Sequence, residues 1–269
     1  MMKLNQLFGL DGKIALVTGG SRGIGKMIVE GLLEAGAARV YISARKAHEI
    51  EETCAELGDK VVGIPADLSQ VDGIKQLADE LAKRESKLDL LVNNAGAAWG
   101  EPFEDFTEAG WDRTMDLNVK TPFFLTQKLL PLLKAAGTAD RPAKVLMIAS
   151  IDGMKTNPWP TYPYQASKAG LIHLTRRMAA ELVQHNIIVN GIGPGAFPSA
   201  MNRAARDNAE LVKRGIPSGR IGVTEDMAAG AIYLLSRAGD YVVGTTIPID
   251  GGVVNANIGA GNFVDPSGH

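Results

Sequence analysis

Cysteine is nearly missing from this chain. Cys54 is its one thiol, which rules out an internal disulfide and a thiolate metal cluster and suits a reducing cytoplasm. Histidine is scarce as well. His48, His173, His185 and His269 stand far apart, without the spacing of metal ligands, so no metal site is expected. Neither sign of charge is in excess, and a net charge of −2 gives no general attraction to nucleic acid or to an anionic membrane. No apolar run is long enough to span a bilayer, and the N-terminal stretch loses its apolar character too early for a signal peptide, so a cytoplasmic protein is expected. Repeats, linkers and low-complexity tracts are also lacking before the tail.

What the chain does have is alternation. Hydrophobic residues make up 45% and charged residues 22%, as in an ordinary globular protein, and 269 residues suit one large α/β domain. Lys13–Thr18 is a short run of strand formers. Gly19-Gly20-Ser21-Arg22-Gly23-Ile24-Gly25 follows, and Ile24, Met27, Ile28, Gly31, Leu32 and Ala35 then mark one face of a helix closed by Gly36. Strand, glycine turn and helix make the opening unit of a dinucleotide-binding fold. Glycines let the backbone approach a pyrophosphate, and the helix N-terminus attracts its charge.

Further strands are expected at Arg39–Ser43, Lys60–Ile64, Leu88–Val92, Lys144–Ala149, Ile187–Ile192 and Thr245–Ile249. Between them, helices are expected at about Gln70–Arg84, at about Trp111–Lys134, after Pro163, and from a Thr224 cap to about Ser236. The alternation predicts a single-domain Rossmann-type α/β fold, a doubly wound parallel sheet of about seven strands with helices on both faces. Ligands bind at the carboxyl ends of such strands. Residues from about 196 to 223 lack clear periodicity and read as a mobile lid, and those from about 253 to 269 as an irregular tail.

Several polar residues fall at those carboxyl ends. An NAD-binding chain carries an acid after its second strand for the ribose hydroxyls, but this one reads Ala44-Arg45-Lys46. With Arg22 in the glycine loop, Arg45 makes a corner suited to the 2′-phosphate of NADP(H). Asn93-Asn94-Ala95-Gly96 leaves room for a ribose and offers it amide donors and acceptors, although such residues also build plain turns. Asn118, inside a helical stretch, is either a solvent-facing passenger or kept for a polar task. Tyr164 and Lys168 are four apart, hence one turn apart on one helix face. A cation near a phenol favours the phenolate, so Tyr164 is a candidate general acid or base.

In order, Thr18 to Gly25, Asn93 to Gly96, Ser150, Tyr164-x-x-x-Lys168 and Pro194-Gly195 resemble the short-chain dehydrogenase/reductase family over about residues 11–252. The wording at Ser150-Ile-Asp-Gly and from Pro194 to Met201 is most similar to the branch of rhamnolipid-type 3-oxoacyl reductases. The resemblance implies a tetrad of Asn118, Ser150, Tyr164 and Lys168. Tyr164 would give a proton to a carbonyl oxygen, and Ser150 would hydrogen-bond that oxygen. Lys168 would lower the Tyr164 pKa and hold the nicotinamide ribose, with Asn118 supporting a water-mediated proton relay.

The same resemblance places Gly19, Ser21, Arg22, Gly23, Ile24 and Gly25 around NADP(H), with Arg45, Asp67 and Leu68. Asn94, Ala95, Gly96, Tyr164 and Lys168 join them, as do Ile192 to Gly195, with Pro194 among them, then Phe197 and Ser199. It also implies a homotetramer. The expected activity is NADPH-dependent reduction of a ketone or 3-oxoacyl group; the alternatives are NADP-linked oxidation of a sugar, polyol or other secondary alcohol, and a dinucleotide-sensing protein without turnover. Trp99, Met154, Trp159, Phe197 and Met201 favour a bulky or acyl-chain ketone, unless Trp159 and Phe197 simply pack the lid. One departure stands out. Ser150 lies one residue further from Tyr164 than is usual in the family, and if the loop does not absorb it, Asp152 or Thr156 would be the substitutes.

Overall fold

The computed structural model describes residues 3–257. Seven strands form one sheet: β1 (Ile14–Thr18), β2 (Arg39–Ser43), β3 (Val61–Gly63), β4 (Leu90–Asn93), β5 (Ala143–Ile148), β6 (Ile187–Pro194) and β7 (Thr246–Ile249), in the order β3-β2-β1-β4-β5-β6-β7. All six pairings are parallel. Thr18 is level with Ser43, Asn93 with Met147 and Pro194 with Ile249, so the carboxyl ends share one edge. Strand order reverses direction between β1 and β4, which opens a crevice there.

The strands are apolar almost throughout because both faces of the sheet are covered. Leu16, Leu91, Val145, Met147 and Val189 point to the layer of α4 (Val71–Arg84), α6 (Thr121–Ala136) and α7 (Tyr162–Leu182). Their neighbours Ala15, Val17, Val92, Leu146 and Ile148 point the other way, toward α2 (Gly23–Glu34) and α10 (Thr224–Leu235). The remaining helices are α1 (Leu4–Phe8), α3 (Ala47–Leu57), α5 (Glu108–Met115), α8 (Arg203–Asp207) and α9 (Ala209–Val212).

Several local expectations are corrected. α3 was not anticipated, because only Ile50 and Thr53 of its eleven residues are buried and its apolar stripe is thin. The long helix expected at Trp111–Lys134 starts earlier and contains a π turn at Asp116–Lys120, which joins α5 to α6. The aperiodic stretch after residue 200 holds the short helices α8 and α9. α10 is capped by the Asp226 carboxylate, which accepts from the Val223 N–H at 2.9 Å, rather than by Thr224. Most of the expected tail, residues 258–269, lies outside the described residues.

Candidate active site

The glycine loop leaves β1 at the sheet edge and is held from below by Thr18. The Thr18 hydroxyl donates to Val92 O (3.3 Å) and accepts from the N–H groups of Asn94 and Ala95 (3.0 and 2.9 Å), tying β1 to β4 across the crevice. Asn94 returns the contact, its amide donating to Thr18 O and Gly19 O at 2.8 and 3.2 Å. Both amide donors are therefore committed to the loop, a correction to the expectation that they would be offered to a ribose; only its Oδ1 stays available.

Gly19 has φ +65°, and a Cβ on Gly25 would lie 2.1 Å from Gly19 O, so the loop can fold back on α2 only with glycine at that point. Ser21 is buried, Arg22 precedes the first turn of α2, and Gly23 lies close to Ser199 in the loop after β6, where its Cβ would stand 3.1 Å from the serine's own. Ile24 packs against the core below α2.

On the same side of the crevice as the glycine loop, after β2, Arg45 is exposed, and its charge helps the Ser69 hydrogen bonds to lower the Asp67 pKa against the effect of burial. Asp67 is occupied by Ser69, which donates both its N–H and its hydroxyl to Oδ1. Leu68 is buried in the core with its carbonyl on Thr121. Among the described residues no cluster of His, Cys, Asp and Glu could hold a metal ion.

The tetrad residues come together where β4 and β5 end. Ser150 follows β5 and caps a short 3-10 turn, Ile151–Gly153, its hydroxyl accepting from Asp152 N at 3.1 Å. That turn packs tightly on α7, since a Cβ on Gly153 would lie 2.5 Å from the Lys168 carbonyl carbon. The residues between this turn and α7 absorb the extra position, because Ser150 still faces Tyr164. Thr156 is exposed and is not the substitute.

Pro163 opens α7, leaving Tyr164 in its first turn and the buried Lys168 one turn on. The Lys168 ammonium donates to Ile148 O at 2.8 Å and lies 5.6 Å from the centre of the Tyr164 ring. Asn118 is 1% exposed and answers the sequence alternative in favour of a polar task. Its Oδ1 accepts from Ala97 N at 2.8 Å, and its Nδ2 donates to Ala97 O and to Ser167 Oγ, both at 2.9 Å. Ser167 in turn donates to Tyr164 O at 2.8 Å. A Cβ on Gly96 would be 3.1 Å from Asn118 Oδ1 and 3.6 Å from Lys168 Nζ, so the end of β4 touches both.

Burial dominates the electrostatics. It pushes the Tyr164 phenol up to about 12, with Ser150 pulling the other way and the Asp152 charge adding to the rise. It pushes Lys168 down to about 8, partly offset by Asp152. Lys168 is not among the groups that shift Tyr164: its ammonium is aimed at Ile148 O, and desolvation of the phenol dominates.

The apolar mouth is partly corrected. Phe197 is 2% exposed and packs in the core beneath α2 and α10, tight against Gly222, so its side chain fills the core instead of standing at the mouth. Met154 does reach the site, packing beside Gly193 at the end of β6. Trp99 is pinned against Gly110 under Arg113, whose guanidinium is 5.1 Å from its ring, while Trp159 and Met201 are largely exposed. Pro194 and Gly195 close β6, with Gly195 N on Ile249 O, and Ser199 Oγ accepts from Asn202 N at 2.9 Å. Thr18 and Ser167, which bind the two halves of the site together, were missed; nothing in a lone hydroxyl at a strand end or between Tyr164 and Lys168 marks it for that work.

The family model for short chain dehydrogenase matches residues 13–210. The chain belongs to that family. It is 47% identical over 255 residues to the rhamnolipids biosynthesis 3-oxoacyl-[acyl-carrier-protein] reductase of Pseudomonas aeruginosa, covering 93% of this chain and 99% of that one. It is 37% identical to the 2-dehydro-3-deoxy-D-gluconate 5-dehydrogenase of Escherichia coli, over 91% of this chain and 96% of the relative. Among solved structures, the Pseudomonas aeruginosa RhlG/NADP active-site complex superposes with a TM-score of 0.89 at 48% identity, covering 93% of this chain and 99% of that one. A gluconate 5-dehydrogenase from Burkholderia cenocepacia, in complex with NADP and tartrate, gives 0.84 at 31% identity, with coverage of 93% and 98%. As a short chain dehydrogenase the chain is an oxidoreductase, and the crevice between β1 and β4 lies where such a sheet takes its dinucleotide.

Proposed function

We propose that this oxidoreductase is an NADPH-dependent carbonyl reductase acting on a ketone or 3-oxoacyl substrate, with Tyr164 as its general acid. The observation that carries this reading is the meeting of Ser150, Tyr164 and Lys168 beside a glycine loop with no acid at position 44. The residues fit NADP(H): the glycine loop folds tightly over the N-terminus of α2, where backbone N–H groups suit a pyrophosphate, and Arg22 and Lys46 already converge on an anionic oxygen. When bound, the cofactor supplies the hydride.

The chain's own part is to hold the carbonyl and deliver a proton. With its pKa near 12, Tyr164 carries its proton throughout the neutral range, which suits an acid that protonates a developing alkoxide. Ser150 hydrogen-bonds the same oxygen, and the Lys168 cation stands by to stabilise the phenolate left behind. Asn118 fixes the first turn of α7 through Ser167 and keeps one Oδ1 lone pair for a water in a proton relay.

Oxidation of a sugar acid or polyol is the competing reading, favoured by the gluconate-type relatives. Two features speak for the acyl-chain ketone. Met154 gives the site an apolar wall, and the charge of half-buried Asp152 acts on Tyr164 and Lys168, so a sugar carboxylate would bring a second negative charge to the same place. The same reading includes a mobile lid at about 196–223, a cytoplasmic location and a homotetramer. Exposed apolar residues such as Tyr241 and Val243 support assembly, and no helix among the described residues is long and apolar enough to cross a membrane.

Tyr164→Phe tests the role of the phenol. It is expected to lower kcat by about 10²- to 10⁴-fold while NADPH still binds with near wild-type affinity in a fluorescence titration. A Tyr164→Phe enzyme at wild-type speed would remove Tyr164 from the mechanism.

A further inference from the structure

Arg22 and Lys46 meet at one oxygen. Arg22 comes from the loop after β1 and Lys46 from the turn after the neighbouring β2, and Glu49 Oε1, in the first turn of α3, accepts from Arg22 Nη1 at 3.0 Å and from Lys46 Nζ at 2.8 Å. The two cations are 57% and 55% exposed and the Glu49 side chain 18%, so both surface cations converge on a carboxylate that is the less exposed partner in each pair. α3 is itself fastened to the glycine loop, the Thr53 hydroxyl donating to Ser21 O at 2.9 Å and Lys26 to Glu56. Glu49 therefore has little freedom to swing away with its helix.

An anionic oxygen held between an arginine and a lysine is the environment that a phosphate oxygen seeks. On the NADP(H) reading above, the adenosine 2′-phosphate calls on Arg22, with Arg45 beside it, and Lys46 is the next residue along. We propose that Glu49 is a built-in competitor of the cofactor's 2′-phosphate, a specificity-determining residue that keeps the cationic seat filled until NADP(H) displaces it. The phosphate carries nearly twice the charge of a carboxylate and offers three oxygens, so it wins the seat, but at reduced affinity. NAD(H), lacking that phosphate, leaves the Glu49 contacts intact. Glu49 thereby narrows the gap between the two cofactors and eases the departure of the phosphorylated one.

The test is direct binding, without turnover. Wild-type, Glu49→Gln, Glu49→Ala and Glu56→Gln proteins are titrated with NADPH and with NADH by fluorescence. Both Glu49 variants are expected to bind NADPH roughly two- to fivefold tighter, the scale on which exposed ion pairs act, with NADH affinity unchanged. Glu56→Gln, which removes the Lys26 partner elsewhere on the same helix, is expected to change neither. NADPH affinity that is unchanged or weaker in both Glu49 variants overturns the proposal, the weaker case making Glu49 a holder of Arg22 instead. A wild-type protein that binds NADPH no better than NADH overturns the cofactor reading itself, and the proposal with it.

Discussion

At the scale of single residues, burial sets the chemistry of the site more than pairing does. Tyr164 and Lys168 sit one turn apart, as their spacing requires, yet desolvation moves each toward its neutral form, to about 12 and about 8. Below pH 8 Lys168 is a cation, and as pH rises through 8 it loses its proton while Tyr164 keeps its own. The basic limb of kcat/KM for reduction, which reports the free enzyme, is therefore expected near pH 8 and belongs to Lys168. Asp152 raises both values, so Asp152→Asn is expected to move that limb to lower pH. A limb that stays in place would show that Asp152 does not act on the pair. The sequence shows which residues face one another, because helix periodicity dictates it, but not how far each is removed from water.

At the scale of elements, strands were the most legible part of the fold. Most are short apolar runs with Gly, Asn or Ser at or just after their ends, as a parallel sheet covered on both faces favours. Helices were legible in proportion to their apolar stripe: α4 buries Ile74, Leu77, Ala78 and Leu81 and was anticipated, whereas α3, which buries only Ile50 and Thr53, was not. The π turn at Asp116–Lys120 was hidden for a different reason. It widens the helix so that Asn118 reaches Ala97 and Ser167, a consequence of tertiary contacts that helix propensity does not encode. Asn118→Ala strips Ala97 of both its side-chain partners and is expected to cost about 1–2 kcal/mol in urea unfolding, with the denaturant slope unchanged. An unaltered midpoint would mean that the π turn is held by other contacts.

At the scale of the whole molecule, the parallel sheet places the loops that follow β1, β2, β4, β5 and β6 along one edge, so the glycine loop and the Tyr164–Lys168 pair, distant in sequence, become neighbours. Five ordered motifs made that assembly readable from sequence, and Phe197 shows where reading stopped. An aromatic in a loop beside a site looks like a ligand contact until packing shows it in the core. The proposed substrate class rests on the same edge, on Met154 beside Gly193 and on the charge of Asp152. A substrate series with NADPH tests this most directly, comparing kcat/KM for 3-oxo esters of increasing chain length with that for a keto sugar acid. If each added methylene is buried, contributing up to about 0.8 kcal/mol, kcat/KM rises severalfold per carbon until the pocket is filled, and the sugar acid is a poor substrate. A flat series, with the sugar acid turned over faster than any 3-oxo ester, would contradict the account.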